Sequence, residues 1–187
     1  CGGTGKTPHV EYLIRLLKSD YKIATLSRGY KRNTSGFLLC NNESTHKDIG
    51  DEPLQYCMKF KDIQVSVDED RRNGIKLLQK HFPEIQTILL DDAFQHRYVK
   101  PGMQILTTDF HNLYMEDYPL PSGTLREFRA GAKRADIIIV TKCPRVLSPI
   151  TKRRITSLIK PRIYQQLFFS YIHYGDLVSL ADHKPVK

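Results

Sequence analysis

The segment Gly2-Gly3-Thr4-Gly5-Lys6-Thr7 sets flexible backbone, an ammonium and a hydroxyl side by side. A glycine-rich turn closing on Gly-Lys-Thr aims backbone N–H groups at a nucleotide's phosphates, with a helix N-terminus behind them. In that reading Gly2, Gly3, Thr4 and Gly5 form the cradle, Lys6 contacts the β- and γ-phosphates, and Thr7 binds Mg²⁺. A second constellation is Asp91-Asp92, which ends the apolar run Ile85 to Leu90. Adjacent acids at the end of a buried strand must be hydrated, paired or metal-bound. With a phosphate loop in the same chain, Mg²⁺ is the partner expected, as on a Walker B strand, and either acid could contact it. Two further pairs are weaker signals alone. Asp51-Glu52, between Gly50 and Pro53, could be a helix start, and Arg126-Glu127 a surface ion pair worth under ~1 kcal/mol. His96 reads as a satisfied core histidine.

These groups need elements to position them. Val10, Leu13, Ile14 and Leu17 recur at helical spacing, and Pro8 suits the first turn, where its missing N–H costs nothing. Residues 21–26 then read as a strand ending in Ser27-Arg28-Gly29-Tyr30. Loop, helix, strand, loop is the unit of a parallel α/β sheet, whose ligand loops gather at the carboxyl ends of strands. Arg28 therefore falls on the functional edge. Residues 31–50 are polar and turn-rich around Phe37-Leu38-Leu39 and suggest a hairpin-like excursion. A helix over 54–60, a strand over 63–67, a helix capped by Asp68 or Asp70 with Ile75, Leu77 and Leu78 inward, and strands over 85–90, 103–108 and 137–141 follow. The expected fold is an α/β, P-loop NTPase-like domain over 1–150, mostly parallel sheet flanked by helices. The basic, proline-punctuated stretch from Pro144 to Pro161 marks the start of a smaller second lobe, taken as 151–187.

Composition narrows the partners. The 187 residues carry 40% hydrophobic and 26% charged side chains, with a formal net charge of +9. No apolar run approaches the ~20 residues of a membrane helix. The excess of positive charge points to polyanionic company: nucleotide phosphates, nucleic acid or an anionic membrane face. Zinc-finger spacing, RNP-like aromatics and basic heptads are all missing, which argues against nucleic acid. Cys1, Cys40, Cys57 and Cys143 show no zinc or redox spacing, so free thiols are expected.

The ordered set GGTGKTP, SRGY, GDEP, LLDDAFQH and LPSGTLREF, from Gly2 to about Pro144, resembles the tetraacyldisaccharide 4′-kinases, the lipid A 4′-kinases of Gram-negative bacteria. The resemblance implies ATP- and Mg²⁺-dependent phosphorylation of the 4′-hydroxyl of a tetraacyldisaccharide 1-phosphate to give lipid IVA, at the cytoplasmic face of the inner membrane. By the same resemblance Lys6 and Thr7 are the P-loop pair, Asp51 is the catalytic aspartate, and Asp91 and Asp92 are the Walker B acids. Arg126 and Glu127 match a pair near nucleotide and metal, and Arg28 becomes a phosphate or substrate contact. Ala93, Ser122 and Thr124 depart from the family's usual glycine, alanine and proline. The family's Asp-His-His motif is not found, and Asp182-His183 reads as a surface loop. A strand before the glycines, an anchoring N-terminal helix and a C-terminal lobe are expected outside this chain, which reads as a fragment.

Two other readings compete. A P-loop GTPase or metal-chaperone NTPase would show Asn/Thr-Lys-x-Asp late in the chain, but Thr141-Lys142-Cys143-Pro144 has Pro144 at the aspartate position. A basic nucleic-acid-binding module would show affinity that falls steeply with salt.

Overall fold

The computed structural model describes residues 3–173 and residue 175. Gly2 and Asp182-His183 lie outside the described residues. The chain divides into two compact units, with the boundary between Gln104 and Ile105.

In the first unit, β1 (Ile23–Ser27), β2 (Leu38–Leu39), β3 (Gln64–Val67) and β4 (Thr87–Leu90) form one sheet in the order β2-β3-β1-β4. β1 runs parallel to both β3 and β4, and β2 adds antiparallel at the edge. All five residues of β1 are buried, as expected of a central parallel strand covered on both faces. On one face Ile23 joins Ile14, Tyr56, Phe60, Ile63 and Val65; on the other, Ala24 and Leu26 join Leu78. The covering helices are α1 (Lys6–Leu17), the short α2 (His46–Ile49), α3 (Asp51–Lys59) and α4 (Arg71–His81). α4 lies close on β1 because Gly74 has no side chain: a Cβ there would meet Leu26 Cδ2 at 2.8 Å. Register decides what this sheet presents. Ser27 pairs with Val67 and Leu26 with Leu90, so the residues that follow, Arg28, Asp68 and Asp91, emerge along one edge.

The second unit holds a parallel sheet in the order β5-β6-β7, built from β5 (Ile105–Asp109), β6 (Ile137–Thr141) and β7 (Gln166–Phe169). α5 (Pro149–Ile159) connects β6 to β7. Its start follows local chemistry: Ser148 accepts from the Thr151 amide as N-cap, and Pro149 occupies the first turn. A 3-10 segment, Arg129–Arg134, precedes β6. The segment read as the start of a second lobe at 151 thus contributes α5 and the strand that pairs with β6.

The expected helices and strands form, most with shifted ends. The helix expected over 54–60 begins at Asp51, and the strand expected over 103–108 is Ile105–Asp109. Asp70 is the cap of α4, accepting from the Arg72 amide. The excursion over 31–50 is not a hairpin of its own. Leu38 and Leu39 pair instead with Val67 and Ser66, because an apolar pair flanked by polar turns gains more from an existing sheet edge. The cysteines also need correction: Cys40 and Cys57 form a disulfide, with their Cα atoms 6.4 Å apart. Short-range spacing could not show this, since the fold brings together residues 17 apart. Cys143 is a buried free thiol.

Candidate nucleotide and phosphoryl-transfer site

The glycine turn is conformationally specific. Gly3 has φ of 76° and Gly5 78°, in the left-handed region that other residues rarely enter. Gly5 caps α1, so Lys6 is the first helical residue and Thr7 the second. His9 donates from Nδ1 to the Gly5 carbonyl at 2.7 Å, tying the turn to the helix it opens.

A second pair of glycines brings Asp51 to the same sheet edge. Gly50, at φ 89°, is buried against the loop that follows β1, and a Cβ there would sit 3.0 Å from the Tyr30 carbonyl and 3.4 Å from Gly29 Cα. The Ser-Arg-Gly-Tyr loop and the Gly-Asp-Glu-Pro turn are therefore packed backbone to backbone. Asp51 emerges exposed in the first turn of α3, where the helix dipole favours an anion. Arg28 is exposed at the end of β1.

Side-chain contacts join these segments. Lys6 Nζ lies 3.2 Å from Asp92 Oδ1. Thr7 Oγ1 donates to Glu52 Oε1 at 3.4 Å. The Tyr56 hydroxyl, one turn along α3 from Glu52, donates to Asp91 Oδ2 at 3.0 Å. Asp91 is only 3% exposed, whereas Asp92, at φ 48°, turns outward toward Lys6. Arg71, buried at the start of α4, donates to the Asp68 carbonyl and, at 3.4 Å, to the Asp91 carbonyl, and so holds the ends of β3 and β4 together.

Charge at this edge is unbalanced. Burial pushes the Asp91 carboxyl above its usual range and neighbouring Asp92 adds to the rise, against the opposing pull of Tyr56 and Lys6. Glu52 is likewise raised by desolvation, then by Asp91 and Asp92. His96 is held down by burial and by the nearby charges of Arg71 and Arg28. Carboxylates thus crowd around Lys6 on one side, while Arg28 and Arg71 make the other side positive.

Among the described residues, no group of three or more His, Cys, Asp and Glu is placed to hold a metal ion. A hard cation that completes its shell with water and phosphate oxygens needs fewer protein ligands than that. The oxygen donors Thr7, Asp91 and Asp92 fit such an ion, and the buried, destabilised carboxylate of Asp91 is the group that a cation would relieve.

Arg126 and Glu127 belong to the second unit. There Arg126 is exposed, and Glu127 accepts from Arg134 Nη2 at 2.8 and 3.0 Å. The first unit thus collects Lys6, Thr7, Asp91 and Asp92, with Asp51 and Arg28 on the same edge. Glu52, Tyr56 and Arg71 were not singled out as site residues from sequence. Glu52 and Tyr56 are four apart on α3 and share a face, a signal readable once that helix is known to start at Asp51. Arg71 carries no motif.

An α/β core whose left-handed glycine turn opens a helix beside paired acids at a strand end defines the class of P-loop nucleotide-binding proteins. Residues 1–174 match the family model for tetraacyldisaccharide-1-P 4′-kinase (LpxK), and the chain belongs to that family. It is 58% identical over 180 residues to a tetraacyldisaccharide 4′-kinase of Parabacteroides distasonis, covering 94% of this chain and 48% of the relative. Against the Flavobacterium johnsoniae protein of the same name, identity is 53% over 183 residues, covering 98% and 54%. The chain spans about half the length of the curated relatives it matches. A solved structure, the "apo" form of LpxK from Aquifex aeolicus in complex with ATP, superposes with a TM-score of 0.68 at 25% identity, over 100% of this chain and 71% of that one.

Proposed function

We propose that the full-length protein is an ATP- and Mg²⁺-dependent kinase that phosphorylates the 4′-hydroxyl of tetraacyldisaccharide 1-phosphate, giving lipid IVA in lipid A biosynthesis. The observation that carries this reading is the convergence of the α1 start, the α3 start and the β4 end, joined by the Lys6–Asp92 and Thr7–Glu52 contacts. Family membership supplies the acceptor, and the ATP complex of the Aquifex aeolicus relative supports the donor.

In this mechanism the glycine turn and Lys6 bind the β- and γ-phosphates. Thr7 and the acids Asp91 and Asp92, with Glu127 as a further candidate, would hold Mg²⁺. When bound, that ion supplies neutralisation of phosphate charge. Asp51 accepts the proton of the 4′-hydroxyl as its oxygen forms a bond to the γ-phosphorus and the bond to the β–γ bridging oxygen breaks, releasing ADP. Lys6 and Arg126 stabilise charge on the transferred group, and Arg28 contacts phosphate or substrate. Among the described residues no helix is long and apolar enough to cross a membrane. The net charge of +9 suits an anionic glycolipid on the cytoplasmic face of the inner membrane, where each basic residue near the surface is worth ~1 kcal/mol.

The test is Asp51→Asn in the full-length protein. ATP affinity should stay within about two-fold while transfer to the disaccharide falls ~10²–10⁴-fold, the span of general-base catalysis. Equal loss of binding and transfer would make Asp51 a nucleotide ligand or a structural residue instead.

A further inference from the structure

We infer that Tyr56 is a positioning residue for the cation and nucleotide site, orienting the Asp91 carboxylate through its phenolic oxygen. The inference rests on the proposed reading of Asp91 as a Mg²⁺ ligand and assigns a role to a residue outside every motif.

The geometry is directional. Tyr56 is fully buried, with its ring among Ile14, Ile23, Phe60 and Val65, so the phenol has one place to go. Its proton is donated to Asp91 Oδ2 at 3.0 Å.

The consequence for a ligand follows from counting lone pairs. An Asp91 carboxylate whose Oδ2 is held by the phenol keeps Oδ1 available for a cation. The strand end is thus held by a neutral partner that adds no charge. Hydrogen bonds behind metal ligands typically set 10- to 100-fold in metal affinity.

Tyr56→Phe removes the oxygen and keeps the ring. The measurement is calorimetric titration of a non-hydrolysable ATP analogue into the full-length protein, once with Mg²⁺ and once with EDTA, for wild type and variant. The ratio of the two affinities within each protein is the readout, because a partly unfolded sample lowers both equally. The expected result is a ratio reduced about 10-fold in Tyr56→Phe, with the EDTA affinity within about two-fold of wild type. An unchanged ratio overturns the role of Tyr56 while leaving the nucleotide site standing. A wild-type protein whose affinity for the analogue does not respond to Mg²⁺ overturns the cation reading itself, and the inference with it.

Discussion

The Lys6 edge of the first unit and the second unit use acidic residues in opposite ways. In the first, Glu52, Asp91 and Asp92 crowd around Lys6, and burial and mutual repulsion raise Glu52 and Asp91. In the second, acids are matched to partners. Lys142 Nζ lies 2.7 Å from Asp109, which it pulls below its usual range against the opposing effect of burial, and Thr124 does the same for Asp117 through its hydroxyl and amide. Glu127 is held by Arg134 at 2.8 Å. Paired acids stabilise a fold, whereas buried acids left short of positive charge cost stability and mark a place where a cation or a charged ligand completes the balance.

The largest effect that would break this contrast is at Lys6. Lys6→Ala in the full-length protein removes the cation facing Asp92 and the expected phosphate contact, and ATP affinity should fall by ~10²-fold or more, the order seen when a single charge-stabilising donor is removed. Retained affinity would mean that the crowded acids serve something other than a nucleotide.

The next prediction concerns pH. A carboxyl raised in the fold stabilises it below the unfolded pKa, and that contribution is lost as pH rises through the folded value. Asp91 is therefore a liability at neutral pH without ligand, and Asp91→Asn should raise the nucleotide-free melting temperature by a few degrees at pH 7, with the gain fading in acid. Asp109 works the other way. Its lowered carboxyl stabilises above the unfolded pKa, and that contribution is lost as pH falls through the folded value, so Asp109→Asn should lower the melting temperature at pH 7 and matter little in acid. Thermal unfolding across pH checks both signs.

The smallest effect separates two roles for Glu127. If its partner is Arg134 alone, Glu127→Gln costs under ~1 kcal/mol of stability, as partly exposed pairs do, and leaves the Mg²⁺ dependence of ATP binding unchanged. If Glu127 also holds the ion, that dependence weakens while stability moves by the same small amount.

Much of this was legible in the sequence because function here depends on residue types that physics makes conspicuous. A Gly-Lys-Thr turn before a helical pattern, and acids ending the apolar run to Leu90, can be read directly, and the structure places them together through the Lys6–Asp92 contact. Strand ends shifted by a residue or two because sheet register, not local preference, decides where pairing stops. Tyr56, Arg71 and the Cys40–Cys57 bond were not legible for a common reason. Each acts on residues far away in the chain, Tyr56 on Asp91 and Arg71 on the ends of β3 and β4, and none has a local pattern that differs from ordinary core or surface positions.

The most direct test of the central claim, that the acid-rich edge of the first unit is a Mg²⁺-nucleotide site, is the affinity of the full-length wild-type protein for ATP measured against Mg²⁺ concentration. The account predicts that affinity rises with Mg²⁺ and saturates, and that ATP with Mg²⁺ raises the melting temperature at neutral pH, as a ligand bound only by the folded state must. ATP binding that is indifferent to Mg²⁺, or undetectable while the protein is folded, would contradict it.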